Sequence, residues 1–291
     1  MAGRRGARVE EAGRWVFNRL AAAYESRPGY PDPLVARLAE LAGAHGRVVD
    51  LGAGTGDLAL PLAARGIGVT AIEPARAMLD VLERRAREKG IALRASGALR
   101  AAHRGALRAG EGGAPSARDD GALVTVHAPA ETTGLPGSSF DLVLVADALH
   151  WLDPELAGAE IARLLAPSGA LAILEAELLP SPFLDALWPQ LHASNPKTRP
   201  RALDLSGPRT HLFSLATPGS DPTTETFDDD HPLTPEAAAA VVTSLSFVGP
   251  ALSPQSLASL TTWASDHARA HGASWRRRLH LHWAIRKRPW K

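Results

Sequence analysis

A short strand-like run followed by three closely spaced glycines limits what this chain can fold into more than any other feature. The run is Arg47 to Leu51, and the glycines are Gly52, Gly54 and Gly56. Glycines at these positions let the backbone turn sharply from a strand into a helix and let a ligand lie against the main chain. Ligands of open α/β sheets bind at the carboxyl ends of the strands. The segment therefore predicts an α/β protein with a binding site at this turn.

Strand-like and helix-like segments alternate along much of the chain. Further strand-like segments lie at 68–72, 123–127, 140–146, 170–174, 223–227 and 279–285. Segments with helical spacing separate most of the earlier ones, such as the amphipathic segment 75–89, which ends at Gly90. This alternation is typical of a parallel, doubly wound sheet with helices on both faces.

The composition excludes several classes of chemistry. The chain has no cysteine, which excludes disulfides, thiolate metal sites and cysteine nucleophiles. The scattered histidines His192, His211, His231, His280 and His282 lack the spacing of a metal site, so we predict no bound metal. Lys and Arg number 32 against 31 Asp and Glu, and this balance argues against a broad attraction to nucleic acid. No targeting segment or membrane-length apolar stretch is evident, and the Arg-rich and Ala-rich composition is typical of a GC-rich genome, so we predict a cytoplasmic bacterial protein.

Two classes of ligand compete for the glycine turn. A dinucleotide site has a third glycine three positions after Gly54, where this chain has Asp57, whose carboxylate would repel a pyrophosphate. Glu73, at the end of the second strand, fits both classes, because both use such an acid to bind ribose hydroxyls. The sequence therefore favours a cofactor without phosphates over a nicotinamide cofactor.

An ordered set of motifs resembles the class I S-adenosylmethionine-dependent methyltransferases, in particular their small-molecule, type 11-like group. The motifs are 24–31, Val49-Asp50-Leu51-Gly52-Ala53-Gly54-Thr55-Gly56, Ala71-Ile72-Glu73-Pro74, 130–131, 135–143, Leu149-His150-Trp151-Leu152-Asp153 and 164–169. The resemblance covers roughly residues 15–175, and the order and spacing of the motifs make it specific. It implies that S-adenosylmethionine is the cofactor and S-adenosylhomocysteine the product.

The resemblance also implies which residues contact the cofactor. They are Tyr24, Arg27, Asp50, Gly52, Ala53, Gly54, Glu73, Pro74, Met78, Ala130, Glu131 and Ala146. Glu73 is expected to accept both ribose hydroxyls, and Asp50 to orient the glycine turn or to reach the cofactor's amino group through water. Pro129 departs from the family pattern because it has no side-chain donor or acceptor, so the adenine amino group must be contacted by Glu131, by the backbone or by water.

Together, the alternation and the resemblance predict a Rossmann-like, seven-stranded, mostly parallel sheet with a final antiparallel strand and a small helical cap. We expect N-terminal helices over the cofactor site at 1–46, the S-adenosylmethionine-binding core at 47–177, and the substrate-pocket cap with the last strands at 178–291. Residues 94–121 lack a period and predict a flexible insertion. Residues 178–222 are rich in proline, and we expect them to be irregular.

Two residues near the end of the fourth strand are candidate proton acceptors. His150 is the first candidate, because an unperturbed imidazole titrates near neutral pH. Asp147 is the second. The alternatives are that His150 packs around the cofactor and that Asp147 caps a turn. A base is needed only if the nucleophile must lose its proton early.

The acceptor is expected to be a small apolar or aromatic molecule, and family analogy suggests a tailoring step of secondary metabolism. The aromatic residues of the second half that suggest such an acceptor are Trp188, Phe213, Phe247 and Trp263. One alternative is a protein of the same fold that binds S-adenosylmethionine without transferring its methyl group. The other is a tRNA or RNA methyltransferase, which the basic run Arg276 to Arg278 would serve, although the acidic run Asp228 to Asp230 balances its charge.

Overall fold

The computed structural model describes residues 16–94, 121–195, 198 and 203–287. Its centre is one sheet of eight strands: β1 (Arg47–Leu51), β2 (Gly68–Ile72), β3 (Leu93–Arg94), β4 (Leu123–Val126), β5 (Phe140–Ala146), β6 (Leu165–Leu178), β7 (Thr223–Pro232) and β8 (Ser274–Ile285). The spatial order is β3-β4-β2-β1-β5-β6-β8-β7. Strand β8 pairs antiparallel with both of its neighbours, and every other pairing is parallel.

Helices cover both faces of this sheet and form the cap. They are α1 (16–24), α2 (Asp32–Ala42), α3 (Ala59–Ala64), α4 (Arg76–Glu88), α5 (Pro154–Leu164), α6 (Pro182–Ser194), α7 (Ser206–Ala216), α8 (Pro235–Ser244) and α9 (Pro254–His271). A 3₁₀ turn, Leu149–Trp151, follows β5.

The alternation of side chains along β1 shows why helices cover both faces of the sheet. Val48 packs in a core with residues of α2, α3 and α4, such as Leu38. Its neighbour Val49 packs in a second core on the opposite face, with Ile161 of α5. Because successive side chains of a strand point to opposite faces, a strand that is apolar throughout requires helices on both sides. A third core joins α6, α8 and α9 into the cap.

The strand order places a crevice between β1 and β5. From β1 the chain proceeds to β2 and β4 on one side, and from β5 to β6 on the other. The connections that leave β1 and β5 therefore diverge, which is the position where open α/β sheets bind ligands. Gly52 follows β1 and Asp147 follows β5, so both lie at the mouth of this crevice.

The predicted fold class and the single antiparallel strand are confirmed, but the count of seven strands was wrong for the described residues. The eighth strand is β3, a two-residue edge strand that is too short to show a periodic pattern. Strand β6 is also longer than predicted, because it pairs with β8 as far as Leu178 opposite Arg277. The insertion predicted at 94–121 lies outside the described residues, apart from its first and last residue.

The expectation of irregular structure at 178–222 was also wrong in part, since α6 and α7 lie there. Helix α6 begins with the N-cap Ser181, whose hydroxyl accepts a hydrogen bond from Leu184 N at 3.2 Å. Pro182 is favourable in this first turn. Pro189 lies inside the helix, where proline is normally avoided, and this residue made the segment resemble a loop.

No helix among the described residues is both long enough and apolar enough to span a membrane.

Candidate functional site

A cavity of about 1050 Å³ lies at the carboxyl ends of the central strands. All twelve residues predicted to contact the cofactor line it, and so do the two candidate proton acceptors, His150 and Asp147. The volume is at the upper end of the range for small-molecule sites, roughly 300–1,000 Å³. The structure therefore brings the whole predicted set together, whereas the role of each residue stays a prediction.

The glycine turn forms one wall of the cavity. Its backbone is held by the second strand, because Gly52 N and Ala53 N donate hydrogen bonds to Ile72 O at 2.9 and 3.0 Å. Gly52 and Gly54 have φ angles of +78° and +54°, in the left-handed region that favours glycine. A Cβ on Gly54 would meet no atom within 4 Å, so the turn leaves open space on the cavity side.

Alanine at Gly56 and alanine at Gly54 are expected to have different effects. A Cβ on Gly56, where φ is +86°, would lie 2.8 Å from Leu82 Cγ, whereas Gly54 has open space. Backbone strain and overpacking together should make Gly56→Ala lower the free energy of unfolding by about 2–4 kcal/mol. Strain alone should make Gly54→Ala lower it by about 1–2 kcal/mol. Urea unfolding measures both, and equal losses would contradict this assignment.

Glu73 is held firmly at the edge of the turn. Its Oε2 accepts a hydrogen bond from Gly54 N at 3.0 Å, and its Oε1 accepts one from Ala75 N at 2.9 Å. Each carboxylate oxygen has a second lone pair, so both can still accept a hydroxyl. Burial raises the pKa of Glu73 to about 7, although the two backbone hydrogen bonds oppose the rise.

Asp50, at the end of β1, is the second buried carboxyl of the site. Burial, with a smaller contribution from the charges of Glu73 and Asp57, raises its pKa to about 7. Asp57 is paired with Arg85 on α4, whose Nη1 donates to Asp57 Oδ1 at 2.7 Å and to Thr55 O at 2.8 Å. The salt bridge fixes the end of the turn, and Asp57 still lines the cavity.

Raised carboxyl pKa values predict that the ligand-free protein loses stability as the pH rises. Between about pH 4 and pH 7 the folded state binds more protons at Asp50 and Glu73 than the unfolded state does, so the free energy of unfolding falls across this window. His282, whose pKa burial lowers to about 4, acts in the opposite direction up to about pH 6.5. The measurement is therefore the difference between the wild type and Asp50→Asn, which should lose less stability between about pH 4 and pH 7. Parallel pH profiles would contradict the prediction.

Thr55, at the cavity wall, has a buried side-chain oxygen, Oγ1, without a hydrogen-bond partner among the described residues. The side chain is 1% exposed. Buried hydroxyls are normally paired, because an unpaired one costs roughly 1–3 kcal/mol. An unpaired hydroxyl beside an open glycine and an acid with free lone pairs fits a polar, nucleoside-like group.

The loop after β4 forms the opposite rim. Ala130 is buried and Glu131 lines the cavity, as predicted. Glu131 Oε1 accepts a hydrogen bond from Asp153 N at 3.0 Å, so part of its capacity stabilises the N-terminus of α5. Its other oxygen, Oε2, can accept one of the adenine contacts that Pro129 cannot make.

Asp147 connects three parts of the molecule. Tyr30 donates its hydroxyl hydrogen bond to Asp147 Oδ2 at 2.8 Å, and Ala176 N donates to Oδ1 at 2.8 Å. The φ of Asp147 is +49°, an uncommon angle for a residue with a side chain. Burial, followed by the charge of Asp147, raises the pKa of Tyr30 well above its ordinary value. This geometry favours Asp147 as the residue that positions Tyr30.

His150 lies on the 3₁₀ turn after β5, half-buried and at the cavity wall. Its ring centroid is 5.1 Å from that of Trp151, which packs edge-on against Phe17 of α1. Both the catalytic and the packing interpretation of His150 are compatible with this position.

The N-terminal segment is tied to the cap. Arg27 donates hydrogen bonds to Ser244 from Nε and Nη2, to the hydroxyl and the carbonyl oxygen respectively, both at 2.8 Å. Its guanidinium lies 4.0 Å from the centre of the Tyr24 ring. Burial is the largest cause of a raised pKa at Tyr24. Arg27 therefore braces α8 as well as lining the cavity, a contact that no sequence pattern indicated.

The basic and acidic runs form a ladder between β7 and β8. Register pairs Asp228 with Arg278, Asp229 with Arg277, and Asp230 with Arg276. The salt bridges follow the same register. Arg278 Nε lies 2.7 Å from Asp228 Oδ1, and Arg276 Nε lies 3.2 Å from Asp230 Oδ2. The three arginines are therefore engaged with carboxylates rather than presented together as a nucleic-acid surface.

Arg277, the central member, points inward. It is 6% exposed, and it donates hydrogen bonds to Asp229 and to Gly29 O. Its guanidinium lies 5.3 Å from the centre of the Tyr30 ring. It shares its face of β8 with the buried Trp275 and with Leu279. That period-two spacing was the available sequence signal for the burial of Arg277.

Two of the four aromatic residues expected at the acceptor pocket line the cavity, Trp188 and Phe247. The other two do not: Phe213 packs in the core behind the sheet, and Trp263 stacks on Phe183 within the cap. Both face helix neighbours because α7 and α9 are amphipathic helices whose apolar sides are buried. No group of three or more potential metal ligands occurs among the residues described.

The sheet order and the cavity between β1 and β5 define a Rossmann-like fold with a ligand site at its topological switch point. Residues 49–173 match the family model of the methyltransferase domain. The chain thus contains a segment similar to a methyltransferase domain, in agreement with the family that the motifs predicted.

Individual relatives agree with this assignment. A methyltransferase of Mycobacterium tuberculosis, named as uncharacterized, is 36% identical over 159 residues, which cover 54% of this chain and 51% of the relative. The chain thus spans about half the length of the curated relatives it matches. The YcgJ protein of Bacillus subtilis is 19% identical, covers 88% of this chain and 98% of its own, and has a TM-score of 0.52. The cyclase SpnF is 17% identical, with coverages of 91% and 85% and a TM-score of 0.50. These two structures support the fold alone.

Proposed function

We propose that this chain transfers the methyl group of S-adenosylmethionine to a small apolar or aromatic acceptor. The observation that carries the proposal is the convergence of the open glycine turn, the unpaired Thr55 hydroxyl and the Glu73 carboxylate on one cavity. When bound, the cofactor supplies a methyl group that its sulfonium has already activated. The chain's contribution is then to position the acceptor and exclude water.

The residues proposed to hold the cofactor divide by chemistry. Glu73 would accept the ribose hydroxyls, and Gly52, Ala53 and Gly54 would border the methionine part. Pro74, Met78, Ala130, Ala146 and Glu131 would surround the adenine. Tyr24, Arg27 and Asp50 would bind or orient the remaining polar groups. Residues 178–291 would contribute the acceptor pocket. A role in secondary metabolism, the cytoplasmic location and the bacterial source stay predictions.

A second candidate is a protein that binds S-adenosylmethionine without transferring its methyl group. SpnF, whose name gives it a cyclase activity, has the same fold, so the fold alone does not imply methyl transfer. An RNA methyltransferase is disfavoured by the ladder, which engages Arg276, Arg277 and Arg278 with carboxylates.

Calorimetric titration with S-adenosylmethionine, S-adenosylhomocysteine and NADH tests the proposed cofactor. We expect the first two to bind and NADH not to bind, and the reverse order would overturn the proposal. Incubation with panels of phenols and amines then tests transfer, measured as S-adenosylhomocysteine formed together with a methylated product. Binding without turnover on any acceptor would favour the second candidate. Salt-dependent binding of tRNA would revive the RNA alternative.

A further inference from the structure

Two exposed leucines lie at the opening of the cavity. Among the described residues, the large apolar side chains that are exposed are Leu156, Leu203 and Ile285, at 53%, 40% and 50%. Single exposed apolar side chains are ordinary on a protein surface. Leu156 and Leu203, however, also line the cavity. We refer to these two residues as the leucine rim, because each faces both the cavity and the solvent.

The packing of α5 against α7 brings the rim to the carboxyl edge of the sheet, where α5 begins shortly after β5 ends. Glu155 Oε2 lies 2.8 Å from His211 Nε2, and about one turn further along both helices a Cβ on Gly158 would lie 2.6 Å from Leu215 Cδ1. The two helices are therefore parallel. Helix α7 begins five residues before His211, whereas α5 begins one residue before Glu155, so α7 extends about 6 Å further. Leu203, which precedes α7, thus overhangs the cavity.

Polar contacts hold the start of α7 in this position. Arg209, in its first turn, donates from Nη1 to both oxygens of Glu175 on β6, at 2.9 and 2.8 Å. Asp204 Oδ1, next to the rim, accepts hydrogen bonds from Ser206 N at 3.0 Å and from Ser206 Oγ at 2.6 Å. Glu155 is engaged with α7. The acidic neighbours of both leucines therefore have partners on α7, and the leucines border the opening.

Apolar side chains continue from the rim into the cavity. Leu152 and Leu205 line the cavity as well, and both are half-buried. They pack against the core that contains Ile161 of α5. Exposure thus falls from the rim toward the interior. A ligand that follows this path buries apolar surface along its length, which is favourable in proportion to the area removed from water.

This path suits part of the acceptor better than the cofactor or a second protein chain. S-adenosylmethionine carries an ammonium, a carboxylate and a sulfonium, and the residues proposed to hold it do not include the rim. A stable interface between protein chains buries about 800 Å² on each partner. The rim has only two leucines, beside the charged Glu155 and Asp204. A narrow aliphatic chain, in contrast, needs only a line of apolar contacts.

We propose that the acceptor carries an aliphatic tail that follows this path and leaves the cavity over the leucine rim. The inference rests on the proposed function and specifies its acceptor further. The group that receives the methyl lies inside the cavity, and the tail passes Leu152 and Leu205 before it reaches Leu156 and Leu203. Contacts along the tail then contribute to affinity and to the choice between acceptors of different length.

The test measures how affinity depends on tail length, with the protein loaded with S-adenosylhomocysteine so that no transfer occurs. The probes are 4-alkylphenols and 4-alkylanilines with tails from methyl to octyl, so that the result does not depend on one head group. Calorimetry gives each dissociation constant. We expect the wild type to bind roughly 2-fold to 4-fold more tightly for each added methylene until the tail passes the rim.

Variants of the rim should weaken the long probes alone. Leu156→Ser and Leu203→Ser should each weaken the octyl probes by at least about 3-fold and leave the methyl probes unchanged. Ile285→Ser is the matched control, because Ile285 is similarly exposed but lies opposite Ala170, toward the end of β6 that is remote from the cavity. It should retain the affinities of the wild type for the whole series. Thermal unfolding of each variant checks that the fold is intact.

Several outcomes would overturn the assignment. They are an affinity that does not rise with tail length, a length dependence that both rim variants retain, and no binding of any probe. Self-association of the wild type that Leu156→Ser abolishes, measured by sedimentation, would assign the rim to a second copy of the chain instead. Calorimetry with S-adenosylhomocysteine is done first: if the wild type does not bind it, the proposed function fails, whereas binding without a rim-dependent length effect removes the aliphatic tail alone.

Discussion

Replacing Arg277 by methionine is expected to lower the free energy of unfolding by about 3–5 kcal/mol. The substitution removes the guanidinium from the Asp229 carboxylate, which is 9% exposed and keeps the contact of its Oδ1 with His231 Nε2 at 2.8 Å. A buried charge without its partner costs far more than the pair contributes when intact. It also removes the donor to Gly29 O, which holds the turn that carries Tyr30. Urea unfolding at fixed pH measures the loss.

The neighbouring arginine provides a matched control for this prediction. Arg278 pairs with Asp228 in the same ladder, but their side chains are 42% and 64% exposed. An exposed pair contributes roughly 0.2–1 kcal/mol, so Arg278→Met should stay within that range. The double variant Arg277→Met with Asp229→Leu should recover much of the stability, because no charge is left buried. Similar losses for Arg277→Met and Arg278→Met would show that burial does not set the cost.

The core of the fold and the cavity wall around the glycine turn could be predicted from the sequence because local patterns determine them. Strands β1, β2 and β5 begin and end at the predicted residues, since each is an apolar run that ends at a glycine, an acid or a turn. The residues predicted for the cofactor come from loops that follow these strands. The carboxyl ends of parallel neighbours meet at one edge, so a correct strand order brings these loops together.

Contacts between distant segments of the chain could not be predicted in the same way. Glu177 and His280 are 103 positions apart and meet through the register of β6 and β8. Arg27 reaches Ser244 across 217 positions. No periodicity in the sequence indicates such pairs. The burial of Arg277 was partly readable, because its alternation with Trp275 and Leu279 is a local pattern.

In helix α6, a single proline hid the helical spacing of the apolar residues. Phe183, Leu184, Leu187 and Leu191 are all buried and have helical spacing. Pro189 obscured this spacing, although the buried side of the helix and the Ser181 cap stabilise α6 despite the missing donor. Packing against α8 and α9 within the cap therefore outweighed the unfavourable effect of Pro189 on the helix.

The second large effect is expected on binding, from the loss of the Glu73 carboxylate. Glu73→Ala should weaken S-adenosylmethionine binding by about 1–3 kcal/mol, the range for hydrogen bonds to a charged group. That corresponds to a dissociation constant raised by roughly 5-fold to 150-fold. The ionised acid can accept two hydroxyls while keeping its bonds to Gly54 N and Ala75 N. Calorimetric titration measures the loss at a pH above about 8, where the carboxyl is ionised.

Glu73 also holds the glycine turn in place. A loss of affinity alone therefore does not show whether Glu73 binds the ribose or only stabilises the turn. A cofactor analogue that lacks one ribose hydroxyl resolves the two, because it removes the same contact from the ligand side. If Glu73 binds that hydroxyl, the analogue binds the wild type more weakly than S-adenosylhomocysteine does, whereas Glu73→Ala binds both about equally. If Glu73 only supports the turn, the two losses add. Additive losses of binding free energy would show that the ribose does not contact Glu73. The role of Glu73 would then be structural, through its hydrogen bonds with Gly54 N and Ala75 N.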